Sequence, residues 1–188
     1  MAVKIRGSVV LSRKAFVEKN FGGEAWEKIV GSLSPENKKA LSGILVHIGW
    51  YPFELGKELD QAIVDVLGHG DKQIFEQIGA NSAKENLSSV HQSFIRKGDP
   101  QAFMRQANQI YRFYYNVGHR EYEETGPTSG VMTTFDVETF SEVDCLTVVG
   151  WYKEALKMCG AQAVFMVETK CRAKGDDVCQ YNVNWRVE

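Results

Sequence analysis

The chain is 188 residues long, 44% hydrophobic and 24% charged, enough to bury a substantial core as one domain spanning 1–188 without staples. Its formal net charge of −2 disperses 22 Lys and Arg among 24 Asp and Glu, which leaves no basic footprint for nucleic acid. The longest apolar run, Ile44-Leu45-Val46-His47-Ile48, is too short for a bilayer span, and nothing at the N-terminus reads as a signal peptide. With four cysteines and no export signal, reduced thiols and a cytoplasmic location are expected.

Val3, Ile5, Gly7, Val9 and Leu11 alternate with polar residues, which predicts a strand over residues 3–10 and a helix capped by Ser12 that stops at Gly22-Gly23. Glu24 to Val30 reads as a short helix in which Trp26 packs. Ser34-Pro35 opens the next helix, with Leu41, Ile44, Leu45 and Ile48 as its buried stripe. Pro52 opens another, with Leu55, Leu59, Ile63 and Val66 on one face. Asp71 caps a long helix to about Lys97, in which Ala80, Ala83, Leu87, Val90 and Phe94 share a face. Its small residues Gly79, Ala80, Ser82 and Ala83 favour close approach by another helix. Asp99-Pro100 begins a helix in which Phe103, Ala107, Ile110, Tyr114 and Val117 recur at helical spacing. Strands follow over 119–125 and 131–137, with Val131, Thr133, Phe135 and Val137 on one face. Ser141 and Asp144 fit a capping box for a last helix. Its core stripe is Cys145, Val149, Tyr152, Leu156 and Cys159, and Val148, Trp151, Ala155 and Met158 form a second stripe expected to face another copy in a homodimer.

The chain closes on a β-hairpin around Gly175-Asp176-Asp177. Alternation puts Phe165, Val167, Thr169, Cys171 and Ala173 on one inner face, and Cys179, Tyr181, Val183 and Trp185 on the other, with a three-residue loop setting the register. The order of elements predicts an α+β fold: helices packed on one face of a small antiparallel sheet that ends in the C-terminal hairpin. Cys171 and Cys179 then lie near each other on the buried side. Their C-x7-C spacing matches no short zinc knuckle and leaves a metal two ligands short, so no metal is expected; Cys171, Cys179, His47 and His91 are the weak candidates.

The run Cys171-Arg172-Ala173-Lys174-Gly175-Asp176-Asp177-Val178-Cys179-Gln180-Tyr181, closing on Trp185, resembles the C-terminal signature of the 4-vinyl-reductase domain superfamily. That superfamily includes the haem nitric-oxide-binding domains and the small subunits of the TRAPP tethering complex. Gly22-Gly23-Glu24-Ala25-Trp26, Trp50-Tyr51-Pro52, Gly98-Asp99-Pro100 and Gly150-Trp151 look like an uncharacterised bacterial paralogous family within it. The resemblance implies a ligand-binding or interaction module. Haem nitric-oxide-binding relatives hold the haem propionates with Y-x-S-x-R, which no segment here matches, Tyr111-Arg112-Phe113-Tyr114-Tyr115 included. No cofactor is therefore expected, neither haem nor zinc.

No nucleophile elbow, phosphate loop or dinucleotide fingerprint is present, so the expected role is non-catalytic. Trp50, Tyr51, Tyr111, Tyr114 and Tyr115 offer apolar bodies with polar tips, suited to enclosing a hydrophobic small molecule, although the same rings serve equally to fill a core. The expectation is a cytoplasmic sensory or regulatory domain whose occupancy is read by a protein partner. The alternative is an interaction scaffold with a filled core, like the tethering subunits. A tetrapyrrole-reducing enzyme is implied by the superfamily's name alone.

Overall fold

The computed structural model describes residues 2–136 and 142–187; the expected positions of Val137 and Ser141 lie outside them. It has the expected α+β architecture. Helices α1 (Gly7–Phe21), α2 (Gly23–Ser32), α3 (Pro35–Ser42) and α4 (Phe53–Ile63) surround one apolar core. Strands β3 (His119–Gly126), β4 (Ser129–Phe135), β5 (Gln162–Lys170) and β6 (Cys179–Arg186) form an antiparallel sheet in the order β3-β4-β6-β5, around a second core. Helices α5 (Ile74–Leu87) and α8 (Glu142–Met158) pack against each other between the two, and the short α6 (Pro100–Met104) and α7 (Ala107–Tyr114) lead into the sheet. No helix among the described residues is long and apolar enough to cross a membrane.

The N-terminal strand is shorter than its alternation predicts. Only β1 (Lys4–Arg6) pairs, with β2 (Trp50–Pro52), and the helix begins at Gly7. Val9, Val10, Arg13, Phe16 and Val17 also repeat at helical spacing and are all buried, so the two periods overlap and the helical one prevails. The first amide donors of α1 find loop acceptors: Gly7 N–H donates to the Gly49 carbonyl (2.8 Å) and Ser8 N–H to that of His47 (3.0 Å). Ser12 is therefore inside the helix, its hydroxyl bonded back to the Val9 carbonyl.

Helix α3 stops at Ser42, so the expected stripe fails beyond Leu41. Ile44 and Ile48 are 92% and 74% exposed in the loop that follows. Ile48→Ser should accordingly change unfolding free energy by no more than about 0.5 kcal/mol in urea denaturation, where a buried stripe position would cost several times that. The long helix expected from Asp71 likewise ends at Leu87, and Val90 faces solvent. The following helix is broken at Arg105–Gln106 into α6 and α7, and Asp99 caps α6 by accepting the Ala102 N–H (2.9 Å).

The small residues of α5 have the expected use. A Cβ on Gly79 would overlap the Thr147 carbonyl of α8, and one on Gly150 the Glu76 carbonyl of α5, so each glycine admits the other helix's backbone. This contact also covers the second stripe of α8: Val148, Trp151 and Ala155 are buried within the chain, which leaves little of that stripe for a second copy.

In the terminal hairpin the inner face of β6 is as expected, with Cys179, Tyr181, Val183 and Trp185 buried. The β5 face is reversed. Val164 and Met166 are buried, while Phe165 and Val167 are 60% and 63% exposed. Met166 pairs with Val183, and the register shifts between Glu168 and Lys170, which returns Cys171 to the buried side. The loop is longer than Gly-Asp-Asp, with a 3-10 turn over Arg172–Lys174.

Candidate functional site

A cavity of about 60 Å³ lies where the two cores meet. Val9, Ser12 and Arg13 of α1 form one wall; Tyr114 and Tyr115, at the end of α7, and Arg120 of β3 form another. The face of α8 from Asp144 to Tyr152 closes it. Tyr114 packs against both cores.

The polar lining is built from side chains that the sequence presents as ordinary surface charges. Arg13 and Asp60 are 2% and 0% exposed. Arg13 donates through Nε to Asp60 Oδ1 (2.5 Å) and through Nη2 to Oδ2 (2.9 Å), a bidentate pair, and Nη2 also reaches Asp144 Oδ1 at 3.4 Å. The Tyr115 hydroxyl donates to Asp144 Oδ2 (2.9 Å). Burial pushes Asp144 up to about 7, against the opposing pull of Arg13. Burial works against the Arg13 charge as well, but the two carboxylates outweigh it, and the guanidinium stays above its ordinary value.

Arg120 stands differently. Its Nε donates to Thr134 Oγ1 (2.9 Å) and its Nη1 to the Tyr152 hydroxyl (3.5 Å), and its guanidinium lies 5.0 Å from the Tyr111 ring centre. Among the described residues it has no carboxylate at ion-pair distance. Burial disfavours its charge, yet the surrounding tyrosine oxygens keep it raised and protonated. Two further atoms at the cavity wall are buried without a hydrogen-bond partner: the Tyr114 hydroxyl and the Trp151 Nε1–H. An unpaired buried cation and two orphaned polar atoms on one small cavity describe a place where a ligand would complete the bonding.

Of the aromatics expected from the sequence, the structure brings Tyr114 and Tyr115 to the cavity, and Tyr111 to its margin, stacked on Tyr115 at 4.8 Å and beneath Arg120. Trp50 and Tyr51 lie elsewhere. Trp50 is half-exposed on β2 under the Arg6 guanidinium, and Tyr51 accepts the Val46 N–H through its hydroxyl. Arg13, Arg120, Asp144, Trp151 and Tyr152 were not singled out as site residues. Asp144 stood in the sequence as a cap and Tyr152 as core, and a lone arginine gives no local signal that it is buried. Of the histidine candidates, His47 is exposed; His91 is buried against Phe113 at 4.6 Å and Phe94 at 5.8 Å, and burial together with His47 lowers its pKa. Cys171 and Cys179 do meet, in company with Cys145 and Glu168.

Two family models match this chain. One described as "Haem-NO-binding" covers residues 6–123, and one described as "Protein of unknown function (DUF2378)" covers residues 68–186. No curated protein sequence matches. Among solved structures, an H-NOX protein from S. oneidensis in the Fe(II)NO ligation state superposes with a TM-score of 0.72 at 11% identity, covering 96% of this chain and 99% of that one. The Fe(II) unliganded H-NOX protein from K. algicida gives 0.74 at 14% identity and covers 97% of both chains. At such identities the structures establish a shared fold.

The haem-NO-binding match overturns the expectation that no cofactor is involved. That expectation rested on the missing Y-x-S-x-R, but a match over residues 6–123 does not hang on one five-residue motif. The cavity nevertheless does not fit a haem as it stands. Drug-sized ligands occupy roughly 300–1,000 Å³, against about 60 Å³ here, and among the described residues no His, Cys or Met side chain lines it.

Proposed function

The chain belongs to the haem-NO-binding family and to the DUF2378 family, and on that premise we propose that it is a sensory ligand-binding domain whose ligand enters between its two cores. As in that family, the role is one of sensing, not catalysis. The ligand class is a largely apolar molecule with an anionic edge, a class that includes haem itself. The observation that carries this is Arg120, a buried guanidinium at the cavity wall that a ligand carboxylate or sulfonate would neutralise. Trp151 Nε1–H and the Tyr114 hydroxyl would bond its polar atoms, and Ile110, Val148 and the Tyr152 ring would cover its apolar face.

Seating anything larger than a few atoms requires the cores to part along α8. The ligand would in this way change how α1 and the sheet are disposed, which is what a partner would read. The filled-core scaffold reading leaves the Arg120 charge and the two orphaned atoms without a role.

The test uses two probes, hemin and 1-anilinonaphthalene-8-sulfonate, titrated by absorbance and fluorescence. Saturable binding of either to the wild type is expected, with affinity at least about tenfold weaker in Arg120→Met, whose apolar chain keeps the packing. Tyr114→Phe should raise the stability of the ligand-free protein by about 1 kcal/mol, because it removes an unsatisfied buried hydroxyl, while weakening the probe. No saturable binding of either probe would sink the reading.

A further inference from the structure

The loop after α3 holds apolar side chains in water. Ile44, Val46 and Ile48 are all exposed, yet the loop itself is fixed: its His47 and Gly49 carbonyls accept the first amides of α1, and the Gly49 N–H closes a turn on the Val46 carbonyl (2.9 Å). Arg6 ties this loop to two exposed rings. Its Nη1 donates to the Ile48 carbonyl (2.8 Å), its Nε donates to the Phe113 carbonyl (3.1 Å), and its guanidinium lies 3.9 Å from the centre of the Trp50 ring. Phe113 tilts against His91 at 4.6 Å, and the next residue back, Val90, faces solvent. Loop 43–49, β2, the end of α7 and the turn after α5 thus meet in one exposed apolar face.

The mixed charge of the whole chain is not repeated here. The stretches that supply this face, 1–17, 37–53, 86–98 and 100–120, contain no Asp or Glu, although the chain holds 24 of them. They do contain Lys4, Arg6, Lys38, Lys39 and Arg112, none of which has a carboxylate at ion-pair distance among the described residues. A monomer surface seldom leaves an apolar cluster uncovered without a use for it. Ile44, Ile48 and Val90 stand out from two separate turns, which suits a fluid apolar phase better than a moulded protein pocket. An exposed Trp beneath an Arg is the pairing of amphipathic side chains that settles at the boundary between apolar chains and charged headgroups.

We propose that this face docks on the surface of an anionic lipid bilayer. Ile44 and Ile48 enter the acyl boundary, Trp50 sits at headgroup level, and the surrounding cations meet the lipid phosphates. Attachment is by side chains of a fixed loop and not by a spanning helix. The face adjoins the ligand cavity, because His91 meets the Tyr114 ring edge-on at 6.0 Å and Tyr114 lines that cavity. On the reading proposed above, docking holds a sensor of apolar molecules where such molecules concentrate; the docking itself does not depend on that reading.

The test is co-sedimentation of the full chain with vesicles of phosphatidylglycerol and phosphatidylcholine in equal parts, read beside tryptophan emission. Trp26, Trp151 and Trp185 are buried, so a blue shift on binding reports Trp50 leaving water. Binding with a blue shift is expected, at least about tenfold weaker on phosphatidylcholine alone, since each cation near an anionic surface contributes about fivefold. Ile44→Ser/Ile48→Ser, at exposed loop positions whose loss leaves the fold intact, should weaken binding at least about tenfold. Lys38→Gln/Lys39→Gln/Arg112→Gln should do the same through charge alone. No association with the anionic vesicles would overturn the proposal, as would equal binding to both vesicle types or unchanged binding in Ile44→Ser/Ile48→Ser. A blue shift that survives Trp50→Phe would place the change at a buried ring and remove this face from the contact. Tight binding of poly-glutamate without vesicle binding would assign the face to an acidic protein partner instead.

Discussion

Asp60→Ala is expected to lower the unfolding free energy by about 3–5 kcal/mol, measured by urea denaturation at neutral pH. Arg13 is then left fully buried, with Asp144 Oδ1 at 3.4 Å as its remaining carboxylate contact in place of a bidentate partner. The cost comes from the stranded charge, not from the loss of an especially favourable pair, because desolvating both ions already offsets much of their attraction. Arg13→Met/Asp60→Leu should therefore recover part of the loss, since the only carboxylate that then loses its charged neighbour is Asp144, which burial already raises to about 7 and which can take up a proton. A single variant costing less than about 1 kcal/mol would show that Arg13 reaches solvent and that the helical core does not close over it. The pair spans α1 and α4, so its loss should loosen the wall that carries Val9, Ser12 and Arg13 into the ligand cavity.

Gly150→Leu is expected to prevent stable folding, or to cost at least about 3 kcal/mol where folding persists. A side chain there meets the Glu76 carbonyl, which is helix backbone and has nowhere to move. Gly150→Ala separates two effects. On an open helix, alanine stabilises by about 1 kcal/mol over glycine; here the methyl must push α5 and α8 apart, and the net effect should be destabilising. A rise in melting temperature for Gly150→Ala would mean that the helices stand far enough apart to admit a methyl group. The same logic applies to Gly79 against Thr147, and the two substitutions should not add, because either one alone moves the same helix pair.

Local sequence determined those parts of the chain where one period dominates and the ends are marked. The last helix, with Cys145, Val149, Tyr152, Leu156 and Cys159 inward, and the β6 face of Cys179, Tyr181, Val183 and Trp185 were legible because each set needs only its own alternation to find the core. The glycine contact between α5 and α8 was legible in outline, since a cluster of small residues in a helix has few other uses. The resemblance named haem-NO-binding domains among its relatives, and the match over residues 6–123 bears out that part alone, while the inference against a cofactor was not safe, because one missing motif weighed too heavily.

Tertiary structure decided the rest. Whether 7–11 is strand or helix turned on loop carbonyls at His47 and Gly49 that receive the helix's first amides, a contact across some forty residues. The β5 face was reversed by a register shift at Glu168–Lys170 that leaves no mark in composition. Arg13, Asp60 and Arg120 read as solvated charges in any local window, and only long-range contacts make their burial tolerable: an ion pair for Arg13 and Asp60, hydrogen bonds to Thr134 and Tyr152 for Arg120. The thiol cluster shows the same limit: two cysteines of one hairpin are local information, whereas the fold alone sets Cys145 and Glu168 beside them.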